Sequence, residues 1–330
     1  MNAVTSSSKP TGTFKWLLKR EFWENRGGFL WAPVITGGIF TFLYLLLAVI
    51  GSISGRDSLD MNGFDINEAP NKVHAIMGMF GDGVLLTGIS LASVVLGFVV
   101  FFYSLGTLYD DRRDRSILFW KSLPISDTHM VLSKAAWALL LAPLLALCVG
   151  ILIGVAMWII SALTLTVNGL PAASSLFTHS HPFRVIGGAL ATLPVYVAWA
   201  LPTVGWLMFC SAWARSKPFL WAVLVPVLAS VIVSMTDILP GIKIPHDVLW
   251  YTVAYRGLLS VLPGTWYAAV DQGDIFSSNG VDSPEQLAGA LNLTSSWHAF
   301  ASADIWIGAV IGAALIFAAI RLRRYRDLTD

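Results

Sequence analysis

Few residues in this 330-residue chain are typed and spaced for bond-making chemistry. His179 and His181 are the one close histidine pair. On an extended segment, imidazoles two residues apart can share a metal. No cysteine or compact acidic cluster completes a ligand set around them, so solvated loop histidines and no metal are expected. Cys148 and Cys210, the only cysteines, fall inside apolar stretches. There they pack as small hydrophobes rather than forming a disulfide framework. No Gly-x-x-x-x-Gly-Lys-Ser/Thr loop occurs, and no lysine directly follows a glycine, so the chain has no phosphate cradle of that kind. His-Glu-x-x-His and Gly-x-Ser-x-Gly are also missing. The expectation is a chain without catalytic or nucleotide-binding machinery of its own.

Charge gives the remaining signal, in two short segments. Phe14 to Arg26 places Phe14, Leu17, Leu18 and Phe22 at helical spacing, with Lys15, Lys19, Arg20 and Arg26 between them and Trp16, Glu21 and Trp23 on the same stretch. It reads as an amphipathic helix lying in the membrane interface, either an anchor to anionic lipid or an anchor that also presents a docking surface. Tyr109 to Asp127 begins with the run Asp110, Asp111, Arg112, Arg113, Asp114 and Arg115. Ser116, Ile117, Leu118, Trp120 and Lys121 follow, and then Pro124. Proline cannot continue a helix and biases Leu123 away from helical geometry, so a short element should stop there. Ser126 or Asp127 would then cap the next helix. A charged, half-apolar knob results. It is either a solvated loop or a contact surface.

The elements that must hold these segments are membrane spans. The chain is 56% hydrophobic and 12% charged, with a mean hydropathy of +0.69, well away from soluble composition. About 20 apolar residues are needed to cross the hydrocarbon. Six segments qualify, at 29–53, 84–108, 131–163, 185–213, 219–236 and 305–320. The predicted fold is all-α and polytopic, with residues 1–28 forming an N-terminal region, 109–127 the knob, and 321–330 a basic tail.

An even number of spans puts both termini on one side, and 16 of the 21 Lys/Arg residues fall on that side. The positive-inside rule makes it the cytoplasm. The N-terminal region shows no signal-peptide cleavage pattern, so the first span is expected to be retained. Tryptophans gather near span ends, as amphipathic rings do at headgroup level. Span interiors carry almost no ionisable groups. Lys134, Asp237 and Asp304 sit at ends, where snorkelling or interfacial water should hydrate them. A self-powered ion-coupled transporter is therefore not expected. The outer loop 237–304 contains Val248 to Leu262, too short to cross and ended by Pro263-Gly264, which suits a re-entrant or interfacial element.

In this layout the chain resembles the ABC transporter permeases of type 2. The resemblance covers essentially the whole chain and rests on the helix entering the first span and on the knob, where Asp114, Ser116, Ile117, Leu118, Ser122, Leu123, Pro124, Ser126 and Lys134 follow the family's coupling segment. The charge-rich Asp110 to Arg115 run departs from many members. The resemblance implies a separate ATPase subunit that binds ATP and Mg, and pairing of two permeases as a homodimer or heterodimer in a bacterial inner membrane. It also implies export of an amphipathic or lipid-like substrate, drug or peptide, without nucleic acid. Asp110, Arg112, Arg113, Asp114, Arg115, Ser116, Trp120, Lys121 and Pro124 would then be the ATPase-coupling contact, and Trp16, Lys19, Arg20, Glu21 and Trp23 the interface helix. A scaffold that recruits a cytoplasmic partner, or an enzyme acting on lipid-linked substrate, remains the alternative on the residues alone.

Overall fold

A computed structural model describes residues 10–54, 70–114, 125–169, 174–235, 245–267 and 293–326. Among these residues the chain is almost entirely helical, with no strand. We number the α-helices α1 (Pro10–Arg26), α2 (Ala32–Ser54), α3 (Pro70–Arg113), α4 (Asp127–Ala136), α5 (Ala142–Val167), α6 (Ser175–Thr178), α7 (Pro182–Ala191), α8 (Leu193–Trp213), α9 (Val225–Met235), α10 (His246–Trp250) and α11 (Ala303–Arg326). Five continuous stretches, 13–54, 73–113, 127–167, 182–213 and 303–325, are long and apolar enough to cross a membrane. The sixth expected span coincides with Leu220–Met235, which is apolar but shorter. At 1.5 Å per residue it reaches only about 24 Å.

Helix α3 overruns its expected span of 84–108 in both directions, because the polar residues that end an apolar window do not break a helix. The expected interfacial helix, α1, is set off from α2 by a kink at Asn25 (φ −110°, ψ 15°). A wide π-helical turn follows at Gly27–Trp31.

Among the described residues two more π-helical turns of five residues occur, at Trp137–Leu141 and Leu220–Leu224. Each is followed two residues later by a proline: Pro33, Pro143 or Pro226. Proline has no amide to give the carbonyl four residues back, and its ring crowds that carbonyl. Those carbonyls belong to Phe29, Leu139 and Ala222, the middle of each wide turn, so one extra residue per turn relieves the conflict. The Ala222 carbonyl instead receives the Trp206 indole N–H at 2.9 Å.

Helices α3 and α5 cross with Gly88 against Gly154, and α8 and α11 cross with Gly205 against Gly312. In both crossings a methyl group in place of a glycine hydrogen would overlap the facing backbone. Helices α8 and α11 run parallel, since Trp199 lies near Asp304 through Arg256, Pro202 faces Gly308, and Gly205 faces Gly312. Phe29, Trp137 and Trp199 anchor the main buried cluster between these helices.

Candidate functional site

The apolar residues of helix α1 pack against the rest of the protein. Leu17 is buried, Phe22 and Phe29 each stack on Trp137, at 5.6 and 5.2 Å, and the Trp137 indole donates to the Leu18 carbonyl at 2.6 Å. The junction of α4 and α5 thus receives this face of α1. The exposed side of α1 instead carries Trp16 and Trp23, with Lys19 over the first ring and Arg26 over the second. Arg20 pairs with Glu24 at 2.6 Å.

Glu21 points inward and is 1% exposed. Its carboxylate lies 3.0 Å from Lys134 Nζ on α4 and accepts the Tyr103 hydroxyl at 2.8 Å. Lys134, 3% exposed, also reaches Asp111 on the last turn of α3 at 3.6 Å. Asp111 in turn accepts Arg323 Nη1 from the end of α11 at 3.0 Å, and Arg323 Nε lies 3.4 Å from Asp127 in the first turn of α4. Among the described residues, two cations and three carboxylates thus alternate from α1 through α4 and the end of α3 to the end of α11. Burial is tolerable because each charge has an opposite charge in contact. Lys134 was expected to snorkel to water. It does not, because two carboxylates from other helices lie closer than solvent.

Several residues assigned to the coupling contact gather beside this cluster. Asp110, Arg113 and Asp114 are exposed, with Arg113 paired to Asp114 at 3.2 Å and to Asp110 at 3.8 Å. Arg112 turns away to the carbonyls of Ser211 (2.6 Å) and Ala214 (2.9 Å), bracing α3 on the end of α8. Arg115, Ser116, Trp120, Lys121 and Pro124 lie outside the described residues. So do Asp237 and residues 1–9, 55–69 and 327–330. Ser126 caps α4, accepting the His129 amide at 3.3 Å. Between α1 and α3 opens a polar cleft of about 380 Å³ lined by Arg20, Glu24, Tyr103, Asp110, Asp111 and Lys134.

A second ion pair, with a buried arginine and a partly exposed carboxylate, lies elsewhere in the fold. Arg256, on a π-helical stretch Tyr251–Leu259 that extends α10, is 5% exposed. Its Nε meets Asp304 at 3.2 Å, and its guanidinium carbon stands 3.7 Å from the Trp199 ring centre. Burial lowers the Arg256 pKa against the opposing pull of Asp304. Burial, and then the hydrogen bond to Asp304, raises that of Tyr251. Gly264, with φ +82°, turns the chain after this element, as the Pro-Gly pair suggested.

The histidine pair is divided between partners. His179 stacks on His74 at 5.4 Å, whereas His181 lies 4.0 Å from Asp82. Among the described residues, no three His, Cys, Asp or Glu side chains are grouped to hold a metal ion. No family model, curated protein or solved structure matches this chain.

Proposed function

We propose that this chain is the membrane-spanning permease subunit of an ATP-binding-cassette exporter in a bacterial inner membrane, paired with a second permease and driven by a separate ATPase subunit. The observation that carries the reading is the cluster at one pole. There Glu21, Asp111, Asp127, Lys134 and Arg323 tie the N-terminal helix, the two helices flanking residues 115–124 and the C-terminal helix together. A push on an intervening segment reaches the spans only through rigid contacts of this kind.

Six crossings with both termini in the cytoplasm fit the same geometry. Helices α8 and α11 run parallel, so the chain must return across the bundle between them, and Leu220–Met235 is the apolar helix available among the described residues. A short helix crosses when the bilayer thins or flanking residues snorkel. An amphipathic or lipid-like cargo fits the apolar spans.

The test is affinity purification of the tagged chain from native membranes in mild detergent, with mass spectrometry and an ATPase assay on the eluate. A co-purifying Walker-type ATPase is expected. An ATPase-free eluate with another protein bound would favour a scaffold, and one with nothing bound would favour an enzyme.

A further inference from the structure

The last turns of α3 are fastened to α8 by hydrogen bonds that a continuous helix does not need. The Ser211 hydroxyl of α8 accepts the backbone amides of Leu108 and Tyr109, at 3.1 and 3.0 Å, inside α3. In a regular helix those two amides are directed at the carbonyls of Ser104 and Leu105, four residues back. An acceptor from another helix reaches them where a side chain inserts into that ladder and opens it. Two further features fall in the same turn. Among the described residues the Ser104 hydroxyl, fully buried, has no hydrogen-bond partner. Gly106 stands between Ser104 and Leu108, and a glycine weakens a helix from within because its backbone is the freest to bend. One turn beyond Leu108, Arg112 donates to the Ser211 and Ala214 carbonyls at 2.6 and 2.9 Å.

We propose that Ser104–Tyr109 is a hinge in α3 and that Ser211 is the positioning residue that latches it. With the latch engaged, the end of α3 that leads into the 115–124 connection is held against the end of α8. With it released, both amides return to the Ser104 and Leu105 carbonyls and residues 110–113 swing away from α8, with the long Arg112 side chain as a tether. The exchange is nearly even, as a switch requires, because each amide trades one oxygen acceptor for another. The freed Ser211 hydroxyl can donate to the Leu207 carbonyl four residues back, as Ser52, Ser93, Ser161 and Ser230 do within their own helices. The hinge does not rest on the exporter reading, which supplies only one source of force on it.

The test is Ser211→Ala in the full-length chain in detergent, with spin labels at the exposed positions Arg113 and Ser216 in a Cys148→Ala background. Cys210, 2% exposed, stays in place. A bend of about 20° over the roughly 10 Å from Gly106 to Arg113 carries the first label about 3–4 Å, so dipolar coupling should report a separation longer by that amount. The thermal midpoint should fall by less than about 3 °C, because both amides keep an acceptor, whereas stranding two buried donors lowers it by more. An unmoved separation overturns the hinge. A larger midpoint loss overturns the exchange that makes Ser211 a latch. Gly106→Ala restores helix preference inside the turn, and its methyl group meets only the Asp110 carboxylate, a side-chain end that can rotate away. It should narrow the spread of separations, and an unchanged spread overturns the hinge even where Ser211→Ala does not fold. Neither readout uses an ATPase, so failure of the hinge and failure of the exporter reading are distinguishable.

Discussion

Substituting Lys134 with methionine preserves the length and apolar stem of a side chain that is 3% exposed and removes only its charge. Two contacts disappear, at 3.0 Å to Glu21 and 3.6 Å to Asp111. With an effective dielectric near 20, each attraction is worth about 5 kcal/mol before the desolvation of the ions is subtracted. The measurable loss is smaller, because the unfolded chain recovers hydration. Removing one member of a buried ionic group typically costs about 3–5 kcal/mol, since the remaining charge is stranded. With an unfolding entropy of about 2.1 cal/mol/K per residue, a chain of 330 residues shifts its midpoint by roughly 1.4 °C per kcal/mol, so Lys134→Met should lower it by about 4–7 °C. Glu21→Gln added to Lys134→Met removes the stranded carboxylate and should recover part of that loss. The assay is fluorescence-detected size exclusion after graded heating. A Lys134→Met midpoint within about 1 °C of wild type, or a double variant no better than the single, would refute the claim that opposed charge holds this pole together.

Other perturbations probe separate parts of the fold. Trp206→Phe leaves the Ala222 carbonyl without the indole donor that compensates for Pro226 and should destabilise the chain by about 1–3 kcal/mol, read as a midpoint shift. Pro226→Ala should soften that penalty by restoring a backbone donor. Arg256→Met abolishes the Asp304 pair and the contact with Trp199, so hydrogen exchange should rise across Tyr251–Leu259 while α1 and α4 remain protected. Under the exporter proposal, reversing Arg112, Arg113 and Arg115 together should uncouple ATPase stimulation from transport without preventing membrane insertion. Because Arg112 also braces α3 on α8, the exposed Arg113 is the better single probe of docking, and under the exporter proposal normal ATP-driven flux in Arg113→Glu would count against its part in the contact.

Much of the architecture was legible in the sequence, because the forces that set it act locally. Runs of apolar residues specify membrane-length helices from burial alone, and Ser126 ahead of a helical stretch specifies a cap through a hydrogen bond three residues long. The wide turns were legible in principle, since Pro33, Pro143 and Pro226 each deny a donor to one known carbonyl. What the sequence could not supply were the partners of Glu21, Asp111, Arg256 and Lys134. Each of these looks like an interfacial charge when read along the chain. Their burial depends on which helix faces arrive together, as Glu21 meets Lys134 and Asp111 meets Arg323 across more than 100 residues. The amphipathic face of α1 was equally visible, but lipid and the Trp137 surface offer a similar apolar contact, and only the packed bundle selects the protein. Local chemistry therefore determined the helices and their caps. Tertiary packing alone decided which charges leave water, because ion pairing depends on distance in space and not on separation along the chain.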